Sequence, residues 1–450
     1  MENRDLKRAK AALSGVGPGM EVAELRLNGP PVAAAFTSRR PKIALYSHDT
    51  VGLGHFRRNL LIAQTLASPP VQADVLMIAG VHEARCFTMP RGVDCITLPA
   101  LEKGTDGTYR SRRLRTSLEK LISLRAATIR AALEEFAPEA LIVDSVPRGA
   151  ARELDPALQL LRSAVGTRCV LGLRDIADHP DAVRKEWALA SNDQAIRDHY
   201  DRIWVYGDPS VYDRVSADQL SAEAALKSRY TGYLDQSKRL STTNGRVACQ
   251  VATMTRDRKR PLVLCLLGGG ADGQRLAEAF AAAALPAGSM GLILTGPFLP
   301  PDVRQHLTAL ARARSDLLVI DFLAEPAALL RRADRVISMG GYNTVCELLS
   351  FNKRALVVPR VKPRCEQLIR AERLRDLGLI DVVHPNDLSP GRISAWLAQD
   401  EATFSDGKGR VDLNGLTCLP GLLAELLLPG STYRGAPGIS PAQPSSLGLG

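Results

Sequence analysis

The sequence predicts an α/β protein built from two doubly wound parallel-sheet domains that face a central cleft. Three observations carry that prediction. The chain has 450 residues, too many for one hydrophobic core. Its most apolar runs are six to eight residues at the longest and alternate with helical patterns, as parallel strands covered on both faces do. Those runs form two series, divided by a polar and basic stretch.

Residues 1–40 mix charges with small residues and read as a loose tail without the apolar stretch of a secretory signal. The first series follows over 41–235: KIALYSH (42–48), ADVLMIAG (73–80), VDCITLP (93–99), ALIVD (140–144), RCVLGLR (168–174), RIWVYG (202–207) and RYTGYL (229–234). Residues 236–260, with QSKRLSTTNGR and TRDRKR, read as a linker. The second series occupies 261–428: PLVLCLLGGG (261–270), MGLILTG (290–296), DLLVID (316–321), RVISMGG (335–341), RALVVP (354–359) and LIDVVHP (379–385). The Gly-, Pro- and Ser-rich segment 429–450 reads as a disordered tail.

Composition narrows the function. No run approaches the ~20 apolar residues that span a bilayer. The eight cysteines form no CxxC pair and several sit inside strand-like runs, the usage of buried free thiols in a reducing cytoplasm. The seven histidines show no HxH, HxxxH or HExxH spacing, so no protein-held metal is expected. The net charge of +10 suits polyanionic ligands, but aromatics are only 5% and no basic stretch interleaves with them, which argues against nucleic acid. From Tyr109 onward, YRSRRLRTSLEKLISLRAATIRAAL sets Leu118, Ile122, Ala126, Ile129, Leu133 and Phe136 at helical spacing beside arginines. That segment reads as a surface helix on its own domain, or as a basic patch for anionic headgroups at the inner face of a membrane.

Two glycine-rich loops close the first strand of each series. SHDTVGLGHFRRNL carries Gly52 and Gly54, and LLGGGADGQRLAEAF carries Gly268, Gly269 and Gly270. Glycines allow close backbone approach, and the helix that follows presents unpaired N–H groups, so both loops are candidate phosphate cradles. Gly268, Gly270 and Gly273 also satisfy GxGxxG, but the next strand ends in LTGPF without the acidic residue that a dinucleotide site requires.

The most specific signal is residues 331–378. A strand ends in Met339-Gly340-Gly341, and Asn343 or Thr344 is expected to cap a helix whose free N–H groups take a diphosphate. Glu347 would accept from the hydroxyls of a ribose, and Glu366-Gln367, after the VVPR strand end, would read sugar hydroxyls. This segment resembles the donor-site signature of GT-B glycosyltransferases, and most of all the MurG-like transferases that take N-acetylglucosamine from UDP: a small-Gly turn, Thr-x-x-Glu on a helix, a strand ending in Pro, and a polar pair opening the next helix. Here these are Gly340-Gly341, Thr344 to Glu347, Val357-Val358-Pro359 and Glu366-Gln367. One departure stands out, because a glutamine pair is usual where Glu366-Gln367 stand.

The resemblance implies two Rossmann-like domains and a UDP-sugar donor with no permanently bound cofactor. It places the diphosphate at Gly268–Gly270 and the Gly341–Thr344 turn, the ribose on Glu347, the sugar on Glu366-Gln367 and the base beside Phe322 and Leu323. In such enzymes the first loop faces diphosphate and acceptor, which makes His55 the candidate base, with Asp49 orienting it or touching acceptor and Arg57 offsetting diphosphate charge. Arg174 and Asp175, closing LGLRD, are expected acceptor contacts by topology alone. Inversion is carried over with the resemblance. Metal independence is expected from the lack of an Asp-x-Asp pair and from the helix ends and arginines. The implied acceptor is a hydroxyl, lipid-linked in the MurG-like case. The same GLGHFRR also resembles nucleotide-sugar hydrolases of nonulosonic-acid pathways, and a UDP-sugar 2-epimerase or a non-catalytic nucleotide-sugar-binding protein fits the same architecture.

Overall fold

The central apolar runs of both series are buried along nearly their whole length, and they form parallel strands. In the computed structural model of the chain, the described residues are 36, 40–48, 53–81, 84, 87–104, 108–242, 260–270, 272–323, 325–399 and 409–428. The first half contains β1 (Lys42–Ser47), β2 (Asp74–Ala79), β3 (Val93–Thr97), a small antiparallel hairpin of β4 (Leu101–Lys103) and β5 (Tyr109–Ser111), then β6 (Ala140–Asp144), β7 (Arg168–Arg174), β8 (Arg202–Tyr206) and β9 (Ser228–Tyr230). Apart from the hairpin, these strands make a seven-stranded sheet in the order β3-β2-β1-β6-β7-β8-β9, with every pairing parallel.

The second half contains β10 (Leu262–Leu266), β11 (Met290–Leu294), β12 (Leu317–Ile320), β13 (Arg335–Ser338), β14 (Arg354–Val357) and β15 (Asp381–Val382). They pair in parallel in the order β12-β11-β10-β13-β14-β15. The strand order reverses between β1 and β6 in one sheet and between β10 and β13 in the other. Loops leaving neighbouring strands at such a point diverge and open a crevice at the carboxyl edge. Both glycine-rich loops start at these crevices.

Six helices matter for the site: α1 (Gly54–Ala67), α2 (Leu118–Phe136), α3 (Gln274–Ala281), α4 (Tyr342–Ser350), α5 (Glu366–Asp376) and α6 (Gly415–Leu427). Phe56, Leu60, Leu61 and Ala63 bury one side of α1 on the first sheet. Helix α6 lies within the expected 261–428 segment but packs against the first half. Leu416, Leu419, Leu423 and Leu426 of α6 enter the same core as Phe56 and Leu60, and Tyr233 N–H donates to the Asp412 carbonyl at 2.8 Å. The chain thus crosses back and covers the first half with apolar surface that its own half leaves unburied.

Helix α2 corrects an expectation. Its most buried line is Leu121, Arg125, Ile129 and Leu133, not a stripe through Leu118 and Ala126. The cause is Glu153, itself fully buried, which accepts from Arg125 Nε at 2.5 Å and Nη2 at 2.7 Å and draws that guanidinium into the interior. Among the described residues no helix is long and apolar enough to cross a membrane.

The halves are joined through charge. Asp175, at the end of β7, accepts from Arg370 of α5 at 2.8 Å (Nε) and 2.6 Å (Nη2), and Tyr233 donates to it at 2.8 Å. Both ionic partners are wholly buried. Burial favours the neutral forms, but the mutual attraction outweighs it and holds Asp175 below and Arg370 above their ordinary ranges. Removing one partner of such a pair strands a charge away from water, which costs about 3–5 kcal/mol. Asp175→Ala is therefore expected to lose stability on that scale in urea unfolding; a loss below about 1 kcal/mol, the scale of an exposed pair, would contradict the assignment.

Candidate active site

On the amino-terminal wall, β1 runs into the first loop and α1 begins at Gly54 with no side chain capping it. His55 in its first turn points Nδ1 at Asp144 Oδ2, the last residue of β6. Asp144 is also gripped by Arg58, one turn further along α1, through Nε at 3.0 Å and Nη2 at 2.6 and 2.7 Å. Arg58 in turn lies over the Tyr342 and Tyr206 rings, 5.3 and 6.0 Å from their centroids. Burial would raise the Asp144 pKa, but Arg58 and then His55 outweigh it and hold the group well below the carboxylate range. An ionised carboxylate at Nδ1 favours the ring tautomer with its proton there, with Arg58 Nη2 also 3.1 Å from that nitrogen. The lone pair is left on Nε2, on a residue that lines the cavity.

The carboxyl-terminal wall is glycine-rich for steric reasons. Gly270 holds φ +93°, and a Cβ there would stand 2.3 Å from the Thr295 carbonyl oxygen, so no other residue completes that turn. Gly341, by contrast, has nothing within 4 Å of where a Cβ would be, so its backbone faces open space. Helix α4 starts directly after Gly341 without a side-chain cap, and α3 starts after Gly273 likewise. Their first-turn N–H groups remain available to an anion.

The two walls enclose one cavity of about 280 Å³. It gathers His55, Gly54, Arg57 and Arg174 from one side and Gly268, Gly269, Gly270, Phe322, Leu323, Gly340, Gly341, Asn343, Thr344, Glu347, Glu366 and Gln367 from the other. Asp49 and Gly52 lie outside the described residues. Three expectations are corrected. Asp175 does not face the cavity, because Arg370 and Tyr233 hold it in the domain interface. Arg57 is not free for a diphosphate, since its Nη2 donates to Glu347 Oε1 at 3.1 Å and stands 3.9 Å from Glu325. Neither Asn343 nor Thr344 caps α4. The helix begins at Tyr342, and Asn343 reaches across the cleft to donate to the Gly54 carbonyl at 2.8 Å. Asp144 stands at His55 Nδ1, a partner that sequence reasoning did not name.

Charge pairing sorts the remaining groups. Glu366 accepts from Arg360 Nη2 at 2.5 Å while its Oε2 is buried without a hydrogen-bond partner among the described residues, and Gln367 Oε1 accepts from the Arg360 N–H at 3.0 Å. Arg174 differs: its half-buried side chain makes no hydrogen bond or ion pair among the described residues. Burial, with Arg58 and Arg370 nearby, lowers its pKa to about 10, which still leaves it a cation at neutral pH. Among the described residues no cluster of His, Cys, Asp or Glu could hold a metal ion. Asp144 and Arg239 were not singled out from the sequence, and Arg58 entered only as the last residue of GLGHFRR. Asp144 had a signal, an acid closing an apolar strand beside the switch point; Arg239 had none, being one basic residue in a polar stretch.

Comparison with known proteins bears on the fold and on the carboxyl-terminal half. Residues 288–403 match the glycosyltransferase family 28 C-terminal domain. A solved UDP-GlcNAc 2-epimerase from Neisseria meningitidis, bound to UDP-GlcNAc, superposes with TM-score 0.57 at 15% identity, over 86% of this chain and 99% of its own. The fold is GT-B. The glycotransferase of kitacinnamycin gives TM-score 0.55 at 17% identity over 86% of this chain and all (100%) of its own. A ugt transferase from Siraitia grosvenorii in complex with UDP gives 0.52 at 14%, over 87% and 96%. No curated protein sequence matches the chain.

The depressed Asp144 fixes a pH signature. A carboxylate whose folded pKa lies below its unfolded value of about 4 adds stability above that pH and loses it as the pH falls further. The stability advantage of wild type over Asp144→Asn is expected to shrink from about pH 5 down to about 2.5 in urea titrations. An advantage that grows over that interval would contradict the ion pair.

Proposed function

We propose that the chain is a glycosyltransferase that moves a sugar, a hexose or N-acetylhexosamine, from a UDP-sugar to a hydroxyl acceptor. One observation carries the reading: a carboxylate-oriented histidine stands across a single cavity from two uncapped helix ends set in glycine turns. The family 28 match over 288–403 supports the donor half of it. Solved structures of the same fold that hold UDP or UDP-GlcNAc support the uridine nucleotide.

In this reading the base rests beside Phe322 and Leu323 and the ribose on Glu347. The diphosphate lies against Gly268–Gly270, Gly341 and the first turn of α4, with Glu366 and Gln367 holding the sugar. His55 Nε2 takes the proton from the acceptor hydroxyl as it attacks the anomeric carbon, and Asp144 stabilises the imidazolium that forms. Arg174, lacking a partner of its own, offsets charge on the departing diphosphate or on the acceptor. Single displacement with inversion fits the site: among the described residues the cavity carboxylates Glu347, Glu366 and Asp272 are each tied to an arginine and poorly placed to act as a nucleophile. Helix ends and Arg174 supply positive charge, so no metal ion is required.

The test is product identification by mass and NMR after incubating the protein, and His55→Ala, with UDP-, TDP- and GDP-sugars. One UDP-sugar is expected to bind without turnover until an acceptor is supplied. With acceptor, His55→Ala should lower turnover by about 10²–10⁴ while donor affinity holds. Rapid His55-dependent release of free sugar would make the enzyme a hydrolase, a changed sugar configuration would make it an epimerase, and no binding would overturn the reading.

A further inference from the structure

Glu347 is buried, yet it is crowded on one side only. Its Oε1 accepts from Arg57 Nη2 at 3.1 Å and from Arg239 Nη1 at 2.8 Å, whereas Oε2 has no hydrogen bond among the described residues, and Glu347 lines the cavity. Arg239 comes from the segment expected to be a plain linker. It lies in a short helical turn, Gln236–Thr242, and is itself 5% exposed. Its Nε donates to Glu325 Oε2 at 2.8 Å and its Nη1 is 3.2 Å from Gln236 Oε1, so one planar fork bridges two carboxylates and is held by a third group. The segment is anchored in turn where Gln236 N–H donates to Ser350 Oγ at 2.9 Å, at the end of the helix that bears Glu347.

We infer that Arg239 is a positioning residue of the nucleotide site, and that the linker thereby sets the preference for ribose over deoxyribose. The inference rests on the donor site proposed above. A free glutamate turns about three torsions; with Oε1 fixed by two guanidiniums, Oε2 is held as the single acceptor presented to the ribose hydroxyls. The fork geometry matters, because a lysine ammonium supplies charge but cannot bridge Glu325 and Glu347 in one plane. Arg57 reaches the same oxygen from α1, two residues after His55, so the ribose acceptor is completed by both halves of the chain.

Calorimetric titration with UDP, 2′-deoxy-UDP and 3′-deoxy-UDP tests this. Wild type is expected to prefer UDP over the weaker deoxy form by about tenfold, the scale of one hydrogen bond to a charged group. Arg239→Ala should cut that ratio to about twofold while affinity for the deoxy form stays within about threefold, and Arg239→Lys should fall between. A merely structural defect would weaken all three ligands together and leave the ratio intact. An unchanged ratio in Arg239→Ala, or in Arg239→Lys should the alanine variant fail to fold, overturns the inference alone. Failure of wild type to bind UDP would overturn the proposed function beneath it.

Discussion

Charge that is removed from water must be paired, and the cleft of this protein is organised around that constraint. The carboxyl edges of two parallel sheets face one another, and each edge delivers ionisable side chains into the space between. Asp175 on one edge finds Arg370 on a helix of the other half, and the pair is wholly buried. Tyr342 adds a neutral link, donating to the Tyr206 carbonyl at 2.8 Å across the same interface. These contacts set the distance between the glycine loops and the histidine opposite them.

The same rule separates groups that hold the site from groups that are open to a ligand. Arg58 belongs to Asp144, Arg57 and Arg239 belong to Glu347, and Arg360 belongs to Glu366 and Asp272. What is left over among the described residues is chemically informative: the imidazole edge of His55, the Arg174 guanidinium, one oxygen each of Glu347 and Glu366, and the N–H groups of two helix starts. Under the proposed function those serve as acceptors for sugar hydroxyls, donors for a phosphate chain, and one base.

Much of this was legible in the sequence because local rules decide it. Continuous apolar runs marked the strands of the two large parallel sheets within a few residues, but not the β4–β5 hairpin, and the expected run at 229–234 yields only Ser228–Tyr230 in β9. The glycine loops, His55 and the Gly341-to-Glu347 segment were legible because turn geometry and helix ends restrict residue type. What escaped was pairing at long range. Whether Arg57 meets a phosphate or Glu347, 290 positions away, depends on how the halves dock, and no local pattern encodes that. Arg125 shows the same failure inside one helix, where a distant Glu153 turned a presumed surface arginine inward. The return of α6 to the first half escaped too, since its apolar pattern fits either core.

A crystal structure of the protein soaked with UDP tests the central claim most directly. Uracil is expected against Phe322 and Leu323, ribose hydroxyls on Glu347, and the terminal phosphate among Gly268–Gly270 and the first turn of α4, on the side facing His55. Nucleotide bound elsewhere, or bound here with its diphosphate turned away from the His55 wall, would contradict it.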